Sequence, residues 1–282
     1  MLDLPQTMQR KFLSNLAFLL FLNLLIKPFW IFGIDRAVQN EVGAEVYGSY
    51  FALFNFAFIL NVFLDLGISN FNNRNVSQHE HLLGKYFPRI VVLRLLLAVG
   101  YSIICMITGM VMGYSHHQMI MLVLLCFNQF LLSSILFLRS NIAGLQLFKM
   151  DSLVSIMDRL LMILTCGWVL FFMQRSNPFQ IEWFVYMQTF AYGFTAIFAL
   201  AVVLQRGGPF TIKWNPAMLV LILKQSLPFA LLILLMSIYG RVDSVLLERM
   251  LPDGKEQTGI YAQAFRLLDA SNMIAYLFAV LL

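Results

Sequence analysis

The chain has 282 residues, 60% of them hydrophobic and 12% charged, with a mean hydropathy of +0.79 and a net charge of +5. Soluble domains are about 45–50% apolar and about 25% charged, so an ordinary globular protein and a disordered one are both excluded. The basic residues are scattered between apolar runs instead of clustering on one soluble face, which excludes a nucleic-acid binder and fits the basic loops that orient membrane proteins.

A membrane-spanning helix takes about 20 apolar residues. Eight such stretches are predicted, at 12–34, 46–66, 90–112, 119–138, 153–173, 181–204, 217–240 and 258–282. The expected fold class is therefore all-α, a polytopic membrane protein with about eight transmembrane helices. The first run is too long for a signal-peptide core and has no small-residue cleavage site, so it reads as a retained span. Cys105, Cys126 and Cys166 fall inside apolar stretches without metal or disulfide spacing and read as small core residues. The connections are short, which leaves no soluble domain for a separate active site. Glycine-loop, nucleophile-elbow and HExxH signatures are absent from the sequence, and neither a cofactor, a metal nor enzymatic activity is expected. His116 and His117 are adjacent and point about 100° apart on a helix; His79 and His81 lie in a loop.

Orientation follows from the Lys and Arg residues. With the N-terminus cytoplasmic, that side holds Arg10, Lys11, Arg74, Lys85, Arg89, Arg139, Lys149, Arg159, Arg206 and Lys213, against Arg36, Arg175, Arg241, Arg249 and Lys255 outside. Ten against five predicts the N-terminus inside.

An internal repeat is visible. Ile34-Asp35 followed by Gly48-Ser-Tyr50-Phe-Ala-Leu-Phe54 matches Val242-Asp243 followed by Gly259-Ile-Tyr261-Ala-Gln-Ala-Phe265, with the glycines 211 positions apart. Both read as an acidic end to one span, a short outer loop, and GxYxxxF opening the next. Duplication is a common origin of transporter folds. The repeat predicts an N-terminal six-helix unit over 1–206, a cytoplasmic linker at 207–216, and the first two helices of an incomplete second lobe at 217–282. We expect at least four further spans in a complete protein, with a natural eight-span protein as the alternative.

Charges inside spans are costly unless they face a cavity or a partner. Lys27 lies about two thirds of the way across the first span and precedes the helix-breaking Pro28. Arg241 and Asp243 close the seventh span. Arg266 and Asp269, three apart on one helix face, can pair in the eighth. Lys27, Arg241 and Arg266 approach one level from equivalent helices of the repeats, an arrangement suited to an anionic ligand. Asp65 is expected to pair with Arg74. Arg94, Lys224, Asp158 and Arg159 read as interface charges. The amides of Asn15, Asn23, Asn55, Asn61, Asn128 and Gln129, with Tyr50, Tyr101 and Tyr192, read mainly as helix-to-helix hydrogen bonds, with sugar hydroxyls in an aqueous cavity as the alternative.

Several motifs stand in a specific order. They are Ile34-Asp-Arg36 then Val46-Tyr-Gly-Ser-Tyr50, Asp65-Leu-Gly-Ile68 with Arg74, Leu138-Arg-Ser-Asn-Ile-Ala-Gly-Leu-Gln-Leu-Phe-Lys149, Ser226-Leu-Pro-Phe229, and Arg241-Val-Asp243 with Gly259-Ile-Tyr-Ala262. In this order the chain resembles the MOP superfamily, specifically the Wzx-type flippases of lipid-linked oligosaccharides, over essentially its whole length. The resemblance implies two pseudo-symmetric six-helix lobes working by alternating access in the bacterial inner membrane. The implied substrate is an undecaprenyl-diphosphate-linked oligosaccharide such as an O-antigen unit, bound among membrane lipids. Carried over by position, Lys27, Arg36, Arg241 and Arg266 would be cavity cations. Asp35 and Asp243 would be candidates for coupling to a proton or sodium ion. A diphosphate needs charge neutralisation to cross hydrocarbon, which Arg and Lys supply as charge-assisted hydrogen bonds. The alternatives are an ion-coupled multidrug antiporter of the same superfamily, whose cationic substrates Lys27 opposes, and a non-transporting membrane component of polysaccharide biosynthesis.

Overall fold

The computed structural model describes residues 23–69, 83–173, 179–206 and 216–281. The beginning of the first expected span, Arg10, Lys11, Asn15, Arg74, His79, His81, Arg175 and Lys213 lie outside the described residues. Eight helices follow in order among those described, with no strand. Helix α1 occupies 23–42, including a π-helical stretch Trp30–Asp35 and the α-helical Arg36–Val42. Helix α2 is Ala44–Leu60, extended by Val62–Asp65. Then come α3 (Leu83–Val111), α4 (His116–Gly144), α5 (Phe148–Trp168, continued by π-helical Val169–Met173), α6 (Ile181–Arg206), α7 (Pro216–Met250) and α8 (Gly254–Leu281). Six of these, α2 to α7, are long and apolar enough to cross a membrane. The chain is an all-helical, multi-pass membrane protein.

The helices run longer than the apolar runs that predict them, and this corrects the expected outer loops. Helix α7 continues ten residues past the expected boundary at 240, and α8 begins at Gly254. Arg241, Asp243 and most of the hydrophilic stretch 252–257 are therefore helical, and only 251–253 turns. Hydropathy marks the hydrocarbon layer, whereas backbone hydrogen bonds carry a helix on into the polar interface. Between α1 and α2 a single residue, Gly43, breaks the helix; its φ of +84° is one that side chains rarely adopt. Helix α4 starts with a reciprocal cap, in which the Gln118 N–H donates to Ser115 Oγ at 3.3 Å and the Ser115 N–H donates to Gln118 Oε1 at 3.0 Å.

Helix α2 is the centre of the bundle and meets α7 and α8 on one side and α1, α3, α4 and α6 on the others. Its core is aromatic: Tyr47, Tyr50, Phe51 and Phe56 are buried, and Tyr50 meets Phe184 of α6 edge-on with ring centroids 5.5 Å apart. Outward faces are apolar, as on α3 (Leu95, Leu96, Val99, Ile103) and α7 (Leu231, Leu235, Met236), in keeping with a lipid environment. The two repeat glycines meet across the α2–α8 crossing. A Cβ on Gly48 would lie 1.9 Å from the Lys255 carbonyl oxygen, and one on Gly259 would lie 2.0 Å from that of Ala44. Small residues at such a crossing let two backbones touch, the main source of packing between helices in lipid. Gln39 Nε2 donates to the Gly259 carbonyl at 2.7 Å and secures α1 to the same point.

Candidate functional site

Most of the intramembrane amides and phenols are consumed by packing. Asn61 Nδ2 donates to Gln129 Oε1 at 3.3 Å, Thr189 Oγ1 to Asn128 Oδ1 at 2.7 Å, Gln188 Nε2 to the Tyr50 hydroxyl at 2.7 Å, and the Tyr101 hydroxyl to the Ala57 carbonyl at 2.9 Å. Each joins two helices, which is the structural alternative of the sequence reading. What remains is a set of charges.

The π-helical stretch after Pro28 shifts the register of α1 relative to a regular helix, and Asp35 closes it against α8. Arg266 Nε donates to Asp35 Oδ2 at 2.6 Å and its NH2 donates to the Asp35 carbonyl at 3.2 Å. The Tyr47 hydroxyl donates to Asp35 Oδ1 at 2.8 Å, and the Arg266 guanidinium stacks over the Tyr47 ring at 4.9 Å. The expected pairing of Arg266 with Asp269 is therefore replaced by one across the bundle. Asp269 faces Arg241 instead, at 3.5 Å; Arg241 also donates to Asn55 Oδ1 at 3.3 Å and lies over the Phe58 and Phe265 rings. The contacts follow the repeat. The end of α1 reaches Arg266 on α8, and the matching end of α7 reaches Asn55 on α2, which occupies the position of Arg266 when Gly48 is set on Gly259. In both repeats the acidic residue accepts a tyrosine hydroxyl: Tyr261 donates to Asp243 at 3.3 Å, as Tyr47 does to Asp35.

Lys27 faces a different wall. It is half-buried, and the charges within electrostatic reach of it are Arg159, Arg139 and Asp158. Sequence reasoning put Asp158 and Arg159 at the interface because the apolar run begins near 153. Helix α5 starts at Phe148, so Arg159 sits roughly 16 Å along its axis, and Asp158 is buried. The start of that helix, hidden by Lys149 and Asp151, is the signal that would have found them. Arg159 donates to the Tyr192 hydroxyl at 3.5 Å, lies 3.5 Å from Asp158, and packs over Trp30 at 5.5 Å. Asp35 and Arg159 are both within electrostatic reach of Asp269, which joins the two walls into one cluster. Lys27, Arg159, Arg241 and Arg266 thus face Asp35, Asp158 and Asp269, a surplus of one positive charge. Arg36 and Asp243 are exposed; Arg36 makes no ion pair among the described residues.

Other charge groups lie apart from this cluster. Arg94, expected at an interface, is buried; it pairs with Asp65, donates to Ser69 and Ser133, and stacks over Phe137 at 4.9 Å. Near the α3–α4 turn, Gln118 Nε2 donates to Glu248 of α7 at 3.1 Å and Arg249 stacks over Tyr114 at 4.0 Å. Burial pushes the Tyr114 phenol up to about 12.

Fold and charges together define a polytopic membrane protein whose central helix contacts carry a partly buried, net-cationic cluster. The family model described as polysaccharide biosynthesis protein matches residues 12–281, and the chain belongs to that family, which includes the MOP-superfamily Wzx-type flippases. Membership bears out the resemblance carried by the ordered motifs, and its members are transporters. No curated protein and no solved structure matches the chain significantly.

Proposed function

We propose that this protein carries a lipid-linked oligosaccharide across the bacterial cytoplasmic membrane by alternating access, with the N-terminus in the cytoplasm. The single observation that supports this most is the net-cationic cluster inside a bundle of a polysaccharide biosynthesis family. Residues 1–206 form one lobe in this reading, 207–216 link it to the next, and 217–282 open the second. The diphosphate is neutralised among Lys27, Arg241 and Arg266, with Arg36 nearer the surface, while the polyprenyl tail stays in lipid. Charge-assisted hydrogen bonds make such binding possible away from bulk water. Asp35 and Asp243, each bonded to a tyrosine, are the coupling carboxylates for a proton or sodium ion. Protonation of Asp35 would weaken its hold on Arg266 and so link ion binding to separation of α1 from α8.

The test is export in cells that depend on this protein for surface glycan. Lys27→Ala and Arg241→Ala should each lower export about tenfold or more, the equivalent of about 1.4 kcal/mol of lost binding, with unchanged amounts of protein in the membrane. Normal export by both variants would sink the reading.

A further inference from the structure

Cations within the helices of this molecule are not equally satisfied. Arg94 has Asp65, Arg139 has both oxygens of Asp151 at 2.7 and 3.2 Å, and Arg266 has Asp35 at 2.6 Å. Among the described residues Arg159 has its sequence neighbour Asp158 at 3.5 Å and one phenol at 3.5 Å. Lys27 has no hydrogen bond or ion pair among the described residues. Both are half-buried, so something from outside the fold can reach them.

The two are also brought together by construction. Asn23 Nδ2 on α1 donates to Ser155 Oγ on α5 at 3.2 Å, and Lys27 and Arg159 each lie four residues further along those same helices. Four residues is about one helical turn, so the clamp that joins α1 to α5 sets the two cations beside each other. Trp30, three residues beyond Lys27 on the same side of α1, lies under the Arg159 guanidinium, and Tyr192 flanks it at 6.0 Å. Aromatic faces hold a guanidinium in place without neutralising it. Lys27 and Arg159 share the single carboxylate of Asp158 and so keep one surplus positive charge in a membrane-embedded bundle, and a bridging anion removes that cost.

We propose that Lys27 and Arg159 are the first anion-binding pair of this protein, gripping the phosphate or diphosphate of its ligand, while Arg266 is engaged by Asp35 at 2.6 Å until that contact opens. The proposal rests on the transport reading for the ligand class, but its residue assignment stands on the α1–α5 geometry alone.

The experiment is equilibrium binding to the purified full-length protein in nanodiscs, with undecaprenyl diphosphate, undecaprenol and inorganic diphosphate as separate probes. Arg159→Gln and Lys27→Gln should each weaken both diphosphate probes at least tenfold, leave undecaprenol unchanged, and show little added loss when combined. Arg139→Gln, which removes a nearby but paired cation, should change binding less than twofold, and Arg159→Lys should retain part of the affinity. A thermal melt of each variant separates lost binding from lost folding. Equal losses from Arg139→Gln, or unchanged binding in Arg159→Gln, would overturn the pair and leave the transport reading standing. Binding of inorganic diphosphate through Arg159 without any affinity for the lipid would overturn the transport reading and leave the pair standing. Failure of the wild type to bind either diphosphate probe would overturn both.

Discussion

Arg94 and Arg159 each lie inside an apolar helix, yet their surroundings are opposite. Around Arg94 every neighbour is a partner: Asp65, Ser69 and Ser133 accept its hydrogen bonds, and Asp65 also accepts from the Ser69 N–H and hydroxyl at 3.1 and 2.6 Å. The group is closed on itself at 4% exposure of Arg94. It braces the turn at Leu66 and Gly67, where Gly67 lies close against Ser226 and Phe229 of α7. Around Arg159 the contacts are long or aromatic, its side chain is 26% exposed, and the adjacent Lys27 makes no ion pair among the described residues. Depth in the membrane alone does not separate a closed charge group from one open to a ligand. The state of its partners does.

The comparison can be attacked from the strongest perturbation downward, with thermal stability in detergent as the common scale. Gly48→Leu or Gly259→Leu should have the largest effect, since the new side chain meets backbone that cannot move aside; we expect loss of the monodisperse folded peak in size exclusion. Next, Asp65→Asn leaves a buried guanidinium unpaired and should cost about 3–5 kcal/mol. Replacing both partners, Arg94→Met with Asp65→Leu, should recover most of that loss. Asp35→Asn weakens a charge-assisted contact to Arg266 and should cost about 1.5–3 kcal/mol. Arg159→Gln should be the mildest, within about 1 kcal/mol of wild type, while its effect on ligand binding is the greatest of the set. If Asp65→Asn and Arg159→Gln lowered stability equally, the distinction between closed and open charge groups would fail.

Much of this was readable from residues. The eight apolar runs correspond to eight helices, because hydrocarbon admits only segments that satisfy their own backbone hydrogen bonds. The Gly48 and Gly259 repeat was visible as spacing, but that the two glycines touch was not, since identity of motif says nothing about which copies pack. The partners of charges were the weakest part. Arg266 and Asp269 satisfy the local i, i+3 rule, yet Arg266 reaches 231 positions back to Asp35. Arg159 was placed at an interface because Lys149 and Asp151 hide the start of α5.

Composition and periodicity by themselves determined the class of protein, the all-helical architecture, the repeat, and the presence of costly charges at Lys27, Arg241 and Arg266. These follow from the energetics of single segments in lipid, which local sequence encodes directly. Only the tertiary structure decided which charges neutralise one another, that α2 is the central helix, and that Arg159 stands beside Lys27. Those are facts about distances between helices far apart in the chain, and they depend on how small residues such as Gly48 and Gly259 let backbones approach.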